Sequence, residues 1–237
     1  MGKRALVVLK EGSAESELIE AVLKSASMDC VTLAGSAEAP AVLTRETFAM
    51  IVLDLDPLAD AFALARRARE SGSNRATPII LMSDDQSTAA VSGGFEAGVS
   101  FFLYKPVDEG RLVKLVRATS DANAPKQRRF RRVVLQSRVQ LASAQRNLEA
   151  ETIDISLNGM LVRAEGHLPA GSAVNVSLYL GQAAPIVCSG YVMRNLSGNR
   201  MAIHMDKLTA AQSGRLQEFL LPLTMAEKRP EAVAVVA

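Results

Sequence analysis

Apolar residues fall in short unbroken runs through the first half of the chain: Ala5–Leu9, Met50–Leu53, Pro78–Met82 and Phe101–Leu103, with a weaker run at Cys30–Leu33. Runs of this length predict strands buried on both faces. The intervening segments repeat their apolar residues at helical spacing. Leu18, Ile19, Val22 and Leu23 predict a helix over Ser16–Ala26, and similar patterns predict helices over Phe62–Arg69, Ser87–Ala97 and Asp108–Thr119. Strands alternating with helices predict a doubly wound α/β domain with a parallel five-stranded sheet. Such sheets gather their functional side chains at the carboxyl ends of the strands. Here those positions hold Leu9 and Lys10, Asp54, Ser83 and Asp84, then Lys105-Pro106.

From Val133 the period shortens to two. Strands are predicted over Val133–Ala142, Asn147–Ser156, Met160–Ala164, Ala173–Leu180, Ile186–Arg194 and Arg200–Met205. Turn signals separate them at Asn158-Gly159, Pro169–Ser172, Gly181-Gln182 and Asn195–Asn199. Six short strands at this spacing predict a small antiparallel β-barrel. A C-terminal helix is predicted over Thr209–Leu220, with Thr209 as its N-cap and Pro222 beyond its end. Leu216, Phe219 and Leu220 are placed to plug one mouth of the barrel. The patterns divide the chain into an α/β domain (1–122), a linker (123–127), a barrel domain (128–222) and a flexible tail (223–237).

Charge sharpens the division. Residues 1–122 carry 13 basic and 17 acidic side chains, a net of −4, whereas residues 123–237 carry 14 and 8, a net of +6. The second domain is therefore the anion-seeking one. No apolar run reaches the ~18 residues of a spanning helix. Lys10 and Glu11 end the first apolar run too early for a signal peptide. A cytoplasmic protein without membrane contact is expected. Cys30 and Cys188 fit no metal spacing and read as buried small hydrophobes in a reducing compartment. His167 and His204 lack neighbouring ligands, so no metal site is expected. Neither an activated nucleophile nor a phosphate-binding glycine loop is present, and the chain reads as a non-enzyme.

The basic charge is concentrated at Gln127-Arg128-Arg129-Phe130-Arg131-Arg132, with no acid until Glu149. Guanidinium groups pair bidentately with phosphate and with the O6/N7 edge of guanine. About twenty residues on, Asp154-Ile155-Ser156-Leu157-Asn158-Gly159 supplies a carboxylate, a hydroxyl and a turn glycine. Basic and polar groups at this separation suit an anionic, base-bearing ligand.

Over residues 1–122 the chain resembles the receiver domain of bacterial response regulators. The likeness rests on Ile51-Val52-Leu53-Asp54, Pro78–Ser83, Ala97-Gly98 and Phe102-Leu103-Tyr104-Lys105-Pro106-Val107-Asp108. It implies Asp54 as phosphoacceptor, Ser83 as the hydroxyl that senses phosphate, Lys105 as the paired cation and Phe102 as the aromatic switch. The family's acidic pair after the first strand is replaced by Leu9-Lys10, and the loop Leu55-Asp56-Pro57 is one residue short. Mg²⁺ needs oxygen ligands, so none is expected here. Without it, phosphoryl transfer lacks charge neutralisation. Lys10 and Lys105 are both expected to approach Asp54, making a degenerate receiver used for docking a protein partner or for dimerisation.

Over residues 125–222 the chain resembles the PilZ domain, the bacterial receptor module for cyclic di-GMP. Arg128-x-x-x-Arg132, Asp154-x-Ser156-x-x-Gly159 and Gly190-Tyr191-Val192-Met193-Arg194 carry the likeness. It implies cyclic di-GMP as ligand, held by Arg128, Arg132, Asp154, Ser156 and Gly159, with Gln127, Arg129, Asn158 and Arg194 as further candidates. Asp154 suits the guanine N1–H and N2–H₂ donors, and Gly159 suits a positive φ and close backbone approach. The family often has a second arginine where this chain has Gln127, which leaves open one bound nucleotide or two. The reading is a two-domain signalling adaptor in which ligand capture beside the linker changes domain arrangement and partner contacts. Two alternatives stay open: a phosphorylation-controlled regulator whose barrel does not bind nucleotide, and a nucleic-acid-binding regulator. The acidic first domain and an aromatic content of only 4% argue against nucleic acid.

Overall fold

The computed structural model describes residues 3–119 and 132–226, with side chains described as far as residue 223. The chain forms two compact units that divide between Arg129 and Phe130. The linker at 123–127, Gln127, Arg128 and Arg129 lie outside the described residues.

The first unit runs β1 (Lys3–Leu9), α1 (Ser16–Ser25), β2 (Met28–Ala34), α2 (Ala39–Arg45), β3 (Met50–Asp54), α3 (Leu58–Glu70), β4 (Ile79–Ser83), α4 (Thr88–Ala97), β5 (Phe101–Tyr104) and α5 (Glu109–Thr119). Its sheet is parallel with order β2-β1-β3-β4-β5. Every residue of β3 and β4 is buried, as the continuous apolar runs require. Helices cover the sheet with the stripes read from sequence: Ile19, Val22 and Leu23 on α1; Leu112, Leu115 and Val116 on α5. Helix α4 begins where Ser87 Oγ accepts from the Ala90 amide at 3.1 Å.

Two features differ from expectation. Helix α2 is absent from the sequence reading. It buries only Ala39 and Leu43 and has a proline in its first turn, so it is too short to repeat a pattern. Cys30 is half-exposed rather than buried, because β2 is an edge strand covered on one side.

The second unit runs β6 (Val133–Val134), β7 (Arg138–Ala142), β8 (Asn147–Ser156), β9 (Gly159–Ala164), β10 (Ala173–Leu178), β11 (Ile186–Leu196), β12 (Arg200–Asp206) and α6 (Ala210–Ala226). Strands β8-β7-β10-β11-β12-β9 pair antiparallel, and β8 pairs again with β9, closing a six-stranded barrel. Inward residues such as Val139, Leu141, Val162, Val176, Val192 and Ile203 fill it. Two glycines permit close strand contact. A Cβ at Gly159 would lie 2.8 Å from the Ile203 carbonyl oxygen, and one at Gly190 would lie 2.2 Å from that of His204.

The predicted strand Val133–Ala142 is two strands. Residues 135–137 leave the ladder, and β6 pairs with β8 one residue out of step with β7. The C-terminal helix starts as expected, with Thr209 Oγ1 accepting from the Gln212 amide at 3.2 Å and Gln212 Oε1 accepting from the Thr209 amide at 2.9 Å. It does not stop at Pro222. It continues to Ala226, so residues 223–226, read as tail, are helical. A proline removes one helical donor, and burial of Leu216, Leu220 and Leu221 anchors the helix around it. Helix α6 packs against β6 and β11, and Phe219 is only partly buried.

Candidate functional site

At the carboxyl end of the parallel sheet, Asp54 is buried at the tip of β3. Lys105, just after β5, places Nζ 2.8 Å from Asp54 Oδ1 and 2.9 Å from Oδ2, and 3.3 Å from Glu15 Oε2. Ser13 Oγ donates to Asp54 Oδ2 at 2.7 Å and lies 3.1 Å from Glu15 Oε2. Burial alone would lower the Lys105 ammonium, but the hydrogen bond and charge of Asp54, with Glu15, outweigh it and hold it above its usual value.

Lys10 does not join this cluster. Its backbone amide donates to the Asp54 carbonyl at 2.6 Å, and no ion pair or hydrogen bond links its side chain to the carboxylate. That corrects the expectation of two lysines on Asp54. Ser13 and Glu15 take the place given to Lys10; the turn after β1 folds back over β3 and brings them in, which strand-end positions could not reveal. Ser83 is bonded within its own loop, its Oγ accepting from the Asp85 amide at 2.9 Å, and it makes no hydrogen bond to Asp54. Phe102 is buried, edge-on to Phe95 at 5.1 Å and stacked with Tyr104 at 6.2 Å.

On the barrel, Arg132 lies just before β6 and Asp154 near the end of β8. Arg132 Nε donates to Asp154 Oδ1 at 2.5 Å. The Arg132 Nη groups and Asp154 Oδ2 have no partner among the described residues, so donors and an acceptor sit side by side. A guanidinium held through Nε presents its outer edge to an anion, and the free carboxylate oxygen suits N–H donors.

Ser156 is buried, and its hydroxyl donates to the Gly159 carbonyl at 3.0 Å and lies 3.3 Å from Asn158 Oδ1. It fastens the two-residue hairpin at 157–158. Asn158 is exposed, and its carbonyl accepts from the Met205 amide at 3.0 Å. Gly159 does not have the positive φ expected of it. Its need for glycine is the close approach to Ile203.

Cross-strand register extends this surface. Val134, Asp154, Leu161, Ala202 and Arg194 oppose one another in a single row across β6, β8, β9, β12 and β11. Val134 is 75% exposed, Leu161 and Ala202 are half-buried, and Arg194 is exposed. The carboxylate–guanidinium pair thus borders an outward-facing apolar strip with Arg194 at its far end. The strip was missed in sequence, because its members come from five separate segments. In the adjacent row, Gly159 opposes His204, which opposes Tyr191, with the two rings 4.9 Å apart.

No group of three or more histidine, cysteine, aspartate or glutamate side chains is arranged for a metal among the described residues. No described helix is long and apolar enough to cross a membrane.

Comparison with known proteins follows the same division. Residues 8–117 match the response regulator receiver domain and residues 126–221 the PilZ domain. Response regulator PleD of Caulobacter vibrioides is 29% identical over 147 residues, covering 62% of this chain and 30% of the relative. The match therefore spans less than a third of that relative's length. Among solved structures, the receiver domain of sensor histidine kinase PA1611 from Pseudomonas aeruginosa PAO1, with a magnesium ion in its active site cleft, is 22% identical. It covers 51% of this chain and 98% of that one, with a TM-score of 0.45. A putative response regulator from Chloroflexus aurantiacus J-10-fl is 25% identical, covering 50% and 98%, also with a TM-score of 0.45. The chain thus carries a response regulator receiver domain followed by a PilZ domain.

Proposed function

We propose that the protein is a non-enzymatic signalling adaptor whose PilZ domain captures cyclic di-GMP through Arg128, Arg132, Asp154, Ser156 and Gly159, with Gln127, Arg129, Asn158 and Arg194 at its margins. The observation that carries the reading is the Arg132–Asp154 pair. Its outer edge, without a partner among the described residues, offers donors for a phosphodiester or guanine O6/N7 beside an acceptor for guanine N1–H. Ser156 acts by holding the hairpin and keeps lone pairs for the ligand. Each good bidentate contact is worth about 1–3 kcal/mol, so a few suffice for micromolar binding.

In sequence, Arg128 directly follows the linker at 123–127, which separates a receiver domain (1–122) from the PilZ domain (128–222). Engagement of the arginines by ligand changes the arrangement of the domains and thereby the contacts with a protein partner or a second copy. The receiver domain serves as the docking module. Its donor set suits Mg²⁺ poorly: Leu9 and Lys10 stand where the family has an acidic pair, the Glu15 carboxylate is engaged by Lys105 and Ser13, and the same two side chains occupy the oxygens of Asp54.

Calorimetric titration of cyclic di-GMP into the wild type, Arg128→Ala and Arg132→Ala tests the reading. Heat from the wild type that falls sharply in both variants supports it. No heat from any of them removes it, and salt-sensitive DNA binding unaffected by Asp154→Ala favours the nucleic-acid alternative.

A further inference from the structure

The motif carboxylate faces outward only because β8 breaks its own alternation. Leu148, Ala150 and Thr152 point into the barrel, and strict period two would send Asp154 after them. An unpaired carboxylate there would be prohibitively costly. Instead the pairing steps from Thr152 opposite Val162 to Asp154 opposite Leu161, leaving Ile153 as a β-bulge. After the bulge Asp154 lies outward and Ile155 inward.

The opposite edge of β8 breaks at the same level. Strand β7 pairs through Arg138 with Glu151, while β6 pairs through Val134 with Asp154. Between them the ladder thins, with the Leu135 amide still donating to the Ile153 carbonyl at 3.3 Å, and the side chain of Thr152, only 1% exposed, reinforces it. Its hydroxyl donates to the Leu135 carbonyl and accepts from the Ser137 amide at 2.9 Å, while its own amide donates to the Ser137 carbonyl at 2.9 Å. One hydroxyl thus satisfies two part-buried backbone groups to which the break gives no ladder partner. The same clamp holds β6, which delivers Arg132, and the bulge, which delivers Asp154.

We propose that Thr152 is the positioning residue of the anion site: its hydroxyl fixes the bulge that brings Asp154 and Arg132 together on the outer face. The inference rests on the cyclic di-GMP reading only for its effect on affinity. Its effect on the ion pair is independent of any ligand.

The test compares Thr152→Val, which keeps the shape and removes the hydroxyl, with Thr152→Ser, which keeps the hydroxyl. In ligand-free protein, the Arg132 Nε–H proton is followed by NMR and assigned by its absence in Arg132→Lys. Thr152→Val is expected to lose its protection from solvent exchange as Asp154→Asn does, while Thr152→Ser retains it. Thr152→Ala carries the same prediction should valine prevent folding. In titrations with cyclic di-GMP, Thr152→Val is expected to weaken binding by about tenfold or more, equivalent to one charge-assisted hydrogen bond. Adding Asp154→Ala to it is expected to cost less than Asp154→Ala alone, because the two act through one unit. A Thr152→Val protein with a lowered melting temperature but wild-type Arg132 protection would show a merely structural threonine and overturn the inference. Strictly additive affinity losses would do the same. If the wild type takes up no cyclic di-GMP, the functional reading fails while the exchange measurement still decides the role of Thr152.

Discussion

Ser13 Oγ donates to Asp54 Oδ2 at 2.7 Å, on a carboxylate whose Oδ1 already lies 2.8 Å from the Lys105 ammonium. Both oxygens of the expected phosphoacceptor are thus engaged within the chain. Attack on a phosphodonor would require one of them to be released, and on the proposed reading, with Leu9 and Lys10 in place of an acidic pair, no Mg²⁺ replaces the lost charge neutralisation. Incubation with a small phosphodonor and Mg²⁺ is expected to leave the mass of the protein unchanged. A covalent adduct that disappears in Asp54→Asn would refute the locked-site reading.

The same pair governs the stability of the receiver domain. Lys105→Met leaves Asp54 buried without its counter-charge and is expected to cost about 3 kcal/mol or more, whereas removal of both charges is tolerated better. Urea unfolding monitored in the receiver transition should rank the proteins wild type, then Asp54→Leu/Lys105→Met, then Lys105→Met. A double variant no more stable than the single one would show that attraction within the pair is not what matters.

Alkaline pH should destabilise both domains. Burial pushes the Cys188 thiol up to about 12, with Asp206 adding to it, and burial with Asp85 pushes Tyr104 up to about 12. Lys105 is also raised. Each folded value lies above the unfolded one, so the stabilisation is complete below the unfolded value and is lost as pH rises through the folded one. Melting temperature is expected to fall progressively from roughly pH 9 to roughly pH 12, and Cys188→Ala should flatten the barrel's share of the fall. Cys30 is also raised, by burial and then Glu20 and Asp29, but it is half-exposed. Iodoacetamide at pH 8 should therefore label Cys30 slowly and Cys188 only after unfolding; equal labelling in the native protein would contradict the assigned burial.

Gly159→Ala should destabilise the barrel by about 1–3 kcal/mol, because a methyl 2.8 Å from the Ile203 carbonyl oxygen forces the β9–β12 contact apart. For a domain of this size that corresponds to a drop of several degrees or more in melting temperature. Since φ at Gly159 is not positive, Gly159→Asn should be no better tolerated than alanine. Rescue by asparagine would point to a conformational role in place of the steric one.

Most of both folds was legible in the sequence because burial is periodic. The runs at Ala5–Leu9 and Met50–Leu53 could only be two-sided strands, and the alternation along Ala173–Leu178 only a barrel wall. Legibility failed where a segment was too short to repeat, as in α2, or where packing overrode a local stop, as at Pro222 in α6. It also failed at the bulge, where Ile153 changes which face every later residue of β8 occupies.

By itself the sequence determined the two-domain order, the pairing of an arginine cluster with Asp154-x-Ser156-x-x-Gly159, and the replacement of the receiver's acidic pair by Leu9 and Lys10. These are matters of residue identity and spacing. Tertiary structure alone decided that Ser13 and Glu15, with Lys105, surround Asp54, that Ser156 fastens its own hairpin, and that Val134, Leu161, Ala202 and Arg194 continue the surface beside Arg132 and Asp154. The reason is physical: which side chains meet across strands depends on register, and register here turns on one unpaired residue and the buried hydroxyl of Thr152 beside it.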